Sequence, residues 1–345
     1  MNTARKLFYY NGGFLRQKRV RRILSMAGYE LTLGLPDRGD MVAVWGQSPN
    51  QYRGQWIAKK RKAGLLRVED AFLRSVQPGR AGDPPLGLIL DRSGCHFDAS
   101  YPCDLENILR HDPLKDTDLL CRAEQAIMRI RDNHISKYNA FETTQSPPAP
   151  GYVLVIDQTF GDAALRASGA GKAEFKAMLA AARREHPDAN IIIKSHAETI
   201  LGHRRGYFSA ADATDTIRLL ATPISPWQLF DGAIAVYTIS SQMGFEAILA
   251  GHTPHVFGQP FYAGWGLSKD RKPITGRTRI LSRAQLFAAA MILYPIWYDP
   301  YRDRLRALED VLDILKAQSH AWRDDHLGWV ACGMRLWKRP HLQSI

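Results

Sequence analysis

The chain has 345 residues, 45% of them hydrophobic and 23% charged, with a formal net charge of +12 and a pI of about 9.6. This composition excludes a disordered, collagen-like or low-complexity protein, and the length suggests two domains, each able to bury a core of its own. No stretch of about 18 apolar residues argues for a membrane-spanning helix, and residues 1–30 hold no long apolar segment of the signal-peptide kind.

The excess of cations attracts anions: nucleic acid, acidic lipid or acidic sugars. Seven of them (Arg5, Lys6, Arg16, Lys18, Arg19, Arg21 and Arg22) fall within residues 1–30, against one acid, Glu30. A second cluster, AKKRK, lies at 58–62. These residues form either the solvated faces of helices or a patch that rests on an anionic membrane leaflet, each cation then contributing about 1 kcal/mol. They lack an interleaved aromatic platform or a nucleic-acid-binding motif, so nucleic acid is not an expected partner.

Short apolar runs at 41–45 (MVAVW), 65–70 (LLRVED) and 86–90 (LGLIL) alternate with basic or polar helical stretches, which points to a parallel sheet. Cys95, Cys103, Cys121 and Cys332 form no CxxC pair and have no His-rich partner cluster. Reduced thiols, a cytoplasmic chain and no structural zinc are expected. From Leu119 to Tyr138 the pattern is helical. TTQSPPAPG at 143–151 has the composition of a linker.

After the linker the alternation is cleaner. Strands are expected at 152–157 (YVLVID), 190–196 (NIIIKSH), 216–222 (TIRLLAT), 232–239 (GAIAVYTI) and 254–258 (PHVFG), with helices at 172–186 and from Met243 to Ala250. Five short apolar strands separated by helices describe a doubly wound sheet. Residues 281–292 and 302–318 read as two further amphipathic helices. The expected architecture is α/β: an N-terminal Rossmann-like domain (1–142), a linker (143–151), a second Rossmann-like domain (152–295), and helices over 296–345 that pack back on the first domain. Two such domains facing each other across a cleft are the outline of the GT-B glycosyltransferases.

In open α/β sheets ligands sit outside the carboxyl ends of the strands, so the polar residues there are the candidate site. Gln158 and Asp162 follow YVLVID; Asp162 is either a helix N-cap or a carboxylate facing the cleft. Ser195 and His196 come after NIIIK, preceded by Lys194; His196 is either a surface imidazole or a partner for phosphate. Ser240 and Ser241 precede a helix, where hydroxyls and backbone N–H groups cap the helix and can hold phosphate or carboxylate. Glu246 lies on an apolar helix face and needs a partner, either an internal ion pair or a ribose diol. Glu69 and Asp70 end a strand and point to opposite faces, so only one need face the cleft; either a half-buried Glu there has a raised pKa suited to acid or base chemistry, or the acids form a helix cap and a salt bridge to Arg67 or Arg74.

RVEDAFLRSV, PPLGLILDRSGCHFDASYPCDLENIL, SKYN, IDQTFGDAAL, PDANIIIKSH, SSQMGFEAILAG and PFYAGWGLSKD occur in this order over roughly residues 40–300. Together they resemble the capsule polysaccharide biosynthesis family typified by KpsC, and the tail RLWKRP is similar to the segment that ends one module of two-module members. The resemblance implies a retaining β-Kdo glycosyltransferase of the GT-B fold that uses CMP-Kdo, an activated acidic eight-carbon keto-sugar, to extend the Kdo linker on a lipid anchor. It implies Asp162 as nucleophile, Glu69 as acid/base, and His196 as a group that binds or protonates the leaving phosphate. Gln158, Lys194, Ser240, Ser241, Gly244, Glu246, Tyr262 and Trp265 would bind substrate, with Ser240, Ser241 and Glu246 holding CMP and the Glu246 carboxylate taking the ribose hydroxyls. A monophosphate leaving group needs no diphosphate-bridging metal, so neither metal nor other cofactor is expected. The implied partners are a lipid-linked Kdo acceptor, capsule assembly and export proteins and the inner face of the cytoplasmic membrane. The residues alone leave two alternatives open: a GT-B enzyme for another CMP- or UDP-sugar, and a non-catalytic capsule export or assembly protein.

Overall fold

The computed structural model describes residues 4–331, with side chains through residue 325; Cys332 and the RLWKRP segment lie outside the described residues. Thirteen strands form two sheets. They are β1 (Arg5–Tyr9), β2 (Tyr29–Thr32), β3 (Met41–Trp45), β4 (Gly64–Asp70), β5 (Gly87–Asp91), β6 (Tyr152–Ile156), β7 (Ile191–Lys194), β8 (Ile217–Leu220), β9 (Ala233–Thr238), β10 (His255–Val256), β11 (Lys269–Asp270), β12 (Pro295–Asp299) and β13 (Arg304–Arg306).

The second sheet runs β11-β10-β9-β6-β7-β8 and all its pairings are parallel. Its central strand β6, YVLVI, is buried at every residue, as a strand covered by helices on both faces requires. Successive strands β6, β7 and β8 step one way; β9, β10 and β11 step the other. The order therefore reverses between β6 and β9, and the crevice at their carboxyl ends is a topological switch point.

The first sheet, β13-β12-β5-β4-β3-β1-β2, is mixed rather than parallel throughout. β4 and β5 pair antiparallel because the segment between them holds one short 3₁₀ turn, Gly79–Ala81, and no crossover helix. β1 and β2 join this sheet from a segment whose charge had read as helix face. Residues 296–306, placed among the expected C-terminal helices, instead join Pro295 in the antiparallel strands β12 and β13. Trp297 and Tyr298 are buried there, so the residues that return to the first domain are needed to complete its sheet. The following helix, Leu308–Ala331, lies along the helix Thr117–Asp132 through Arg122–Glu309 and Arg129–Asp313 ion pairs. That second helix stops at Asp132, short of the expected Tyr138, and His134 adopts φ +54°; the chain then turns Ser136–Tyr138 toward the space between the sheets.

One hydrophobic core is shared by both domains, joining Phe72, Ile89 and Leu105 of the first to Leu154, Phe245 and Trp265 of the second. The Phe72 and Phe261 rings lie 4.7 Å apart across the junction, and Gln242 Nε2 donates to the Phe72 carbonyl at 2.7 Å. A buried ion pair reinforces the contact: Arg277 Nη2 donates to Glu106 Oε2 at 3.0 Å, and Arg277 Nη1 donates to the carbonyls of Pro260 and Ala263. The guanidinium also faces the Trp265 ring at 5.3 Å. Arg277 thus ties the aromatic segment 261–266 to a helix of the opposite domain. Glu106 also accepts from Arg110, so Arg277→Ala leaves that carboxylate paired but strips the carbonyls of Pro260 and Ala263 of their donor, and should lose about 2–3 kcal/mol of stability. Urea unfolding of the variant beside wild type reads this, and a loss below about 1 kcal/mol, the worth of an exposed pair, would contradict it.

Candidate active site in the inter-domain cleft

The switch point opens into a cleft of about 470 Å³ lined by both domains. β4 delivers Glu69 and Asp70 to one wall. Both line the cleft, although only one of two adjacent strand residues was expected to face it. Asp70 accepts from Arg74 Nε at 2.6 Å. Glu69 turns over Gly46, where an added Cβ would lie 1.3 Å from Glu69 Oε1, so residue 46 must be glycine for this carboxyl to sit where it does. Burial, with the Asp70 charge added, pushes the Glu69 carboxyl up to about 8, against a smaller opposing pull from Lys137.

The opposite wall carries Asp162, which caps the helix Ala163–Ala167 by accepting from Ala164 N at 2.9 Å and lines the cleft as well. The two readings of this residue are therefore compatible. Lys137 lies in the same cleft. Burial alone would depress its ammonium, but Tyr138, Asp70, Asp162 and Glu69 outweigh that and raise it, so it stays charged. One cation thus sits in the field of carboxylates from both walls.

A second group lies at the ends of β6, β7 and β9. Lys194 is buried, donates to the Ser195 carbonyl at 3.1 Å, and is lowered to about 8 by burial. No carboxylate stands within ion-pair distance of it among the described residues. His196 caps the short helix Ala197–Ile200, its Nδ1 accepting from Glu198 N at 3.1 Å. Burial, then Lys137, Lys194 and Arg204, hold the imidazole down to about 3. The ring is therefore neutral at pH 7, and an Nδ1 that accepts leaves Nε2–H as a donor.

Gln158 and Ser240 bridge the switch point: Ser240 N donates to Gln158 Oε1 at 2.9 Å, and Gln158 Nε2 reaches Ser240 Oγ at 3.4 Å. Ser241 is the N-cap of the helix Gln242–Ala250. Glu246, on that helix, accepts from Ser136 Oγ at 2.8 Å through Oε1, while buried Oε2 has no hydrogen-bond partner. Burial raises this carboxyl to about 7, the Ser136 hydrogen bond opposing. It forms no internal ion pair among the described residues, so the expected alternative of a fold-stabilising salt bridge does not hold.

Three expected binding residues stand behind the cleft rather than in it. Tyr262 and Trp265 are fully buried. Tyr262 Oη donates to the Ser241 carbonyl at 2.6 Å and Trp265 Nε1 to the Phe261 carbonyl at 2.8 Å, so their polar tips are already satisfied. At Gly244 a Cβ would lie 2.2 Å from Tyr262 Oη; the glycine lets that ring brace the helix start. These residues position Ser241 rather than touch a ligand, because no free edge of either ring reaches the cleft.

Several cleft residues carried no assigned role in the sequence. Lys137 and Ser136 lie in the quoted SKYN segment, and His96 in the quoted GCHFD run. His96 is held near 3 by burial and by Lys137, and its buried Nδ1 has no partner. Trp322 reaches the cleft from the C-terminal helix, a placement no local pattern signals. Asp157 is a structural carboxylate: buried, it accepts from the N–H groups of Gln158, Tyr207 and Phe208 and pins the facing loop.

A carboxyl raised to about 8 has a testable cost. The unfolded chain releases this proton near 4.5, the folded chain near 8. Its stabilising contribution is therefore complete below about 4.5 and is lost as pH rises through 8. Glu69→Gln should gain stability relative to wild type between pH 5 and 9, read as a growing difference in Tm; a constant difference across that range would show that Glu69 titrates normally.

Comparison with known proteins agrees with this geometry. A profile described as "Capsule polysaccharide biosynthesis protein" matches residues 40–146 and 121–296. The capsule polysaccharide modification protein LipA of Neisseria meningitidis serogroup B is 37% identical over 314 residues, 87% of this chain and 44% of LipA. The lipopolysaccharide-processing protein LpsZ of Rhizobium meliloti is 36% identical over 69% of this chain and 55% of its own length. The chain thus spans about half the length of the curated relatives it matches. A structure titled KpsC, beta Kdo 2,4 transferase, from Thermosulfurimonas dismutans superposes with a TM-score of 0.84 at 33% identity, covering 91% of this chain and 98% of that one. The beta Kdo 2,7 transferase structure of the same organism's KpsC superposes at 0.69 and 23% identity, over 91% and 99%, a likeness of fold. With two Rossmann-like domains enclosing a switch-point cleft, the fold is GT-B, and the chain belongs to the capsule polysaccharide biosynthesis family.

Proposed function

We propose that the chain is a retaining β-Kdo transferase that uses CMP-Kdo to extend a lipid-linked Kdo acceptor. The observation that carries the reading is the cluster of Glu69, Asp162 and Lys137, a raised carboxyl and a second carboxylate facing one ammonium in the cleft. The likeness to the 2,4 transferase supports the β-Kdo chemistry and favours a 2,4 linkage.

In this mechanism the Asp162 carboxylate attacks C2 of the bound sugar. The C2–O bond to phosphate breaks, and CMP departs with the electron pair. The neutral His196 ring donates Nε2–H to the phosphate rather than transferring a proton, because an imidazolium held near 3 is scarcely populated at pH 7. Lys194 and the backbone at the Ser241 helix start supply positive potential for the same group. Glu246 Oε2, lacking an internal partner, takes the ribose hydroxyls. The acceptor hydroxyl then gives its proton to ionised Glu69 and attacks C2; the ester bond to Asp162 breaks and the carboxylate is restored. Two inversions give net retention. No step requires a metal or other cofactor.

The acceptor is acidic, and a basic groove of about 1010 Å³ containing Arg16, Lys18, Arg19, Arg22, Arg74 and Arg80 meets the cleft at Asp70 and Tyr138. It offers a path for such a chain. The requirement for capsule assembly and export proteins belongs to the same reading.

Transfer to a short β-Kdo acceptor, followed by mass spectrometry and NMR of the product, tests this. Wild type should extend the acceptor, with the acceptor step rising as pH increases through about 8 as Glu69 ionises. Asp162→Ala should lose product formation by about a thousandfold or more while binding CMP as wild type does. Stabilisation by UDP but not CMP, or near wild-type transfer by Asp162→Ala, would overturn the proposal.

A further inference from the structure

Outside the cleft, the carboxyl ends of β1 and β2 open into a separate groove of about 760 Å³. Tyr9, Tyr10, Leu15, Leu33, Tyr52 and Trp56 line it, and no acidic side chain does. Four of these are strongly exposed: Leu15 at 49%, Leu33 at 69%, Tyr52 at 58% and Trp56 at 57%. Leu35, close by in sequence, is 60% exposed. Isolated exposed apolar residues are ordinary, but a contiguous set marks an interaction surface.

The helix Gln51–Arg61 explains the exposure. It buries Gly54 and Ala58 against the sheet, and at Gly54 a Cβ would lie 2.6 Å from Val44 Cγ1. The close approach leaves room for small residues alone on the inner face. Tyr52 and Trp56, one turn apart, must project outward.

Cations flank the rings. Lys60 Nζ stands 5.0 Å above the Trp56 ring and the Arg53 guanidinium 5.7 Å from the Tyr52 ring. Lys59 and Lys62, on and just after the same helix, are also exposed. Aromatic rings with an apolar body, beside long basic side chains that reach past them, match the boundary between acyl chains and anionic headgroups. Among the described residues no helix is long and apolar enough to cross a membrane.

We propose that this face docks on an anionic bilayer, with Leu15, Leu33, Tyr52 and Trp56 entering the headgroup–acyl boundary and the surrounding Arg and Lys pairing with lipid phosphates. The groove lies on the rim that carries the site: β1, β3 and β4 are parallel neighbours, so β1 ends about 10 Å to the side of the strand that ends in Glu69. Bilayer docking stands independently of the transferase reading. Where that reading holds, docking sets the membrane beside the basic groove leading to the cleft, in position to present a lipid-linked acidic acceptor.

Co-sedimentation of the full chain with lipid vesicles, in the absence of donor and acceptor, tests the surface separately from catalysis. Vesicles with roughly one phosphatidylglycerol in three should bind wild type at least about tenfold better than pure phosphatidylcholine. Tyr52→Ser/Trp56→Ser and, independently, Lys59→Glu/Lys60→Glu should each reduce that binding about tenfold or more, by loss of apolar insertion and of charge respectively. Both double variants alter exposed positions and should retain the wild-type Tm and activity on a lipid-free acceptor. Equal binding to both vesicle types, or wild-type binding by the Tyr52/Trp56 variant, would overturn the proposal. So would light scattering showing a wild-type dimer that this variant dissolves, since the face would then be covered by a second copy.

Discussion

A single ammonium, Lys137, makes the cleft electrostatically possible. Glu69 arrives from one sheet and Asp162 from the other, and burial together with the Asp70 and Asp162 charges resists ionisation of Glu69. The Lys137 charge offsets part of that cost. It lowers Glu69 against the larger effect of burial, and its own charge is sustained by the acids it faces. In the proposed mechanism the two carboxyls divide the labour: Glu69, raised to about 8, takes the acceptor proton, and Asp162 attacks.

The rest of the fold serves this placement. The chain bends out of the helix Thr117–Asp132 and through His134 at positive φ to bring Ser136 and Lys137 between the sheets. Ser136 then engages Glu246 of the second domain, so the segment that supplies the cation also holds the carboxyl proposed to take the ribose hydroxyls. Behind Ser241, Tyr262 packs into the space left by Gly244, and Arg277 joins that aromatic segment to Glu106. The aromatic run after β10 is therefore a brace for the helix start. It holds the Ser241 cap and its N–H groups in a fixed position.

Much of the second domain was legible because its strands are short, apolar and separated by strongly patterned helices. YVLVI and NIIIK are buried on both faces, and periodicity announces that directly. The first domain was less legible. RKLFY sets only three apolar residues behind two charges within a basic segment, so β1 was masked, and PIWYD gave no sign that it would return to close a sheet begun nearly three hundred residues earlier. In the site, residues at strand ends were readable because a parallel sheet dictates where its ligands sit. Glu69, Asp162, Lys194, His196, Ser240 and Glu246 all line one cleft. Lys137, His96 and Trp322 come from a loop, a turn and a distant helix, whose meeting depends on tertiary geometry alone. Conversely, Tyr262 and Trp265 had the composition of a binding loop, and only burial separates a brace from a ligand contact.

The central claim is that Asp162 becomes covalently bonded to the sugar. Intact-mass spectrometry of the protein incubated with CMP-Kdo and no acceptor, followed by peptide mapping, tests it most directly. The account predicts an acid-labile mass increase of one Kdo unit less water, located on the peptide containing Asp162 and discharged by added acceptor. Release of CMP and formation of retained product with no such adduct, or an adduct on another carboxylate, would contradict it.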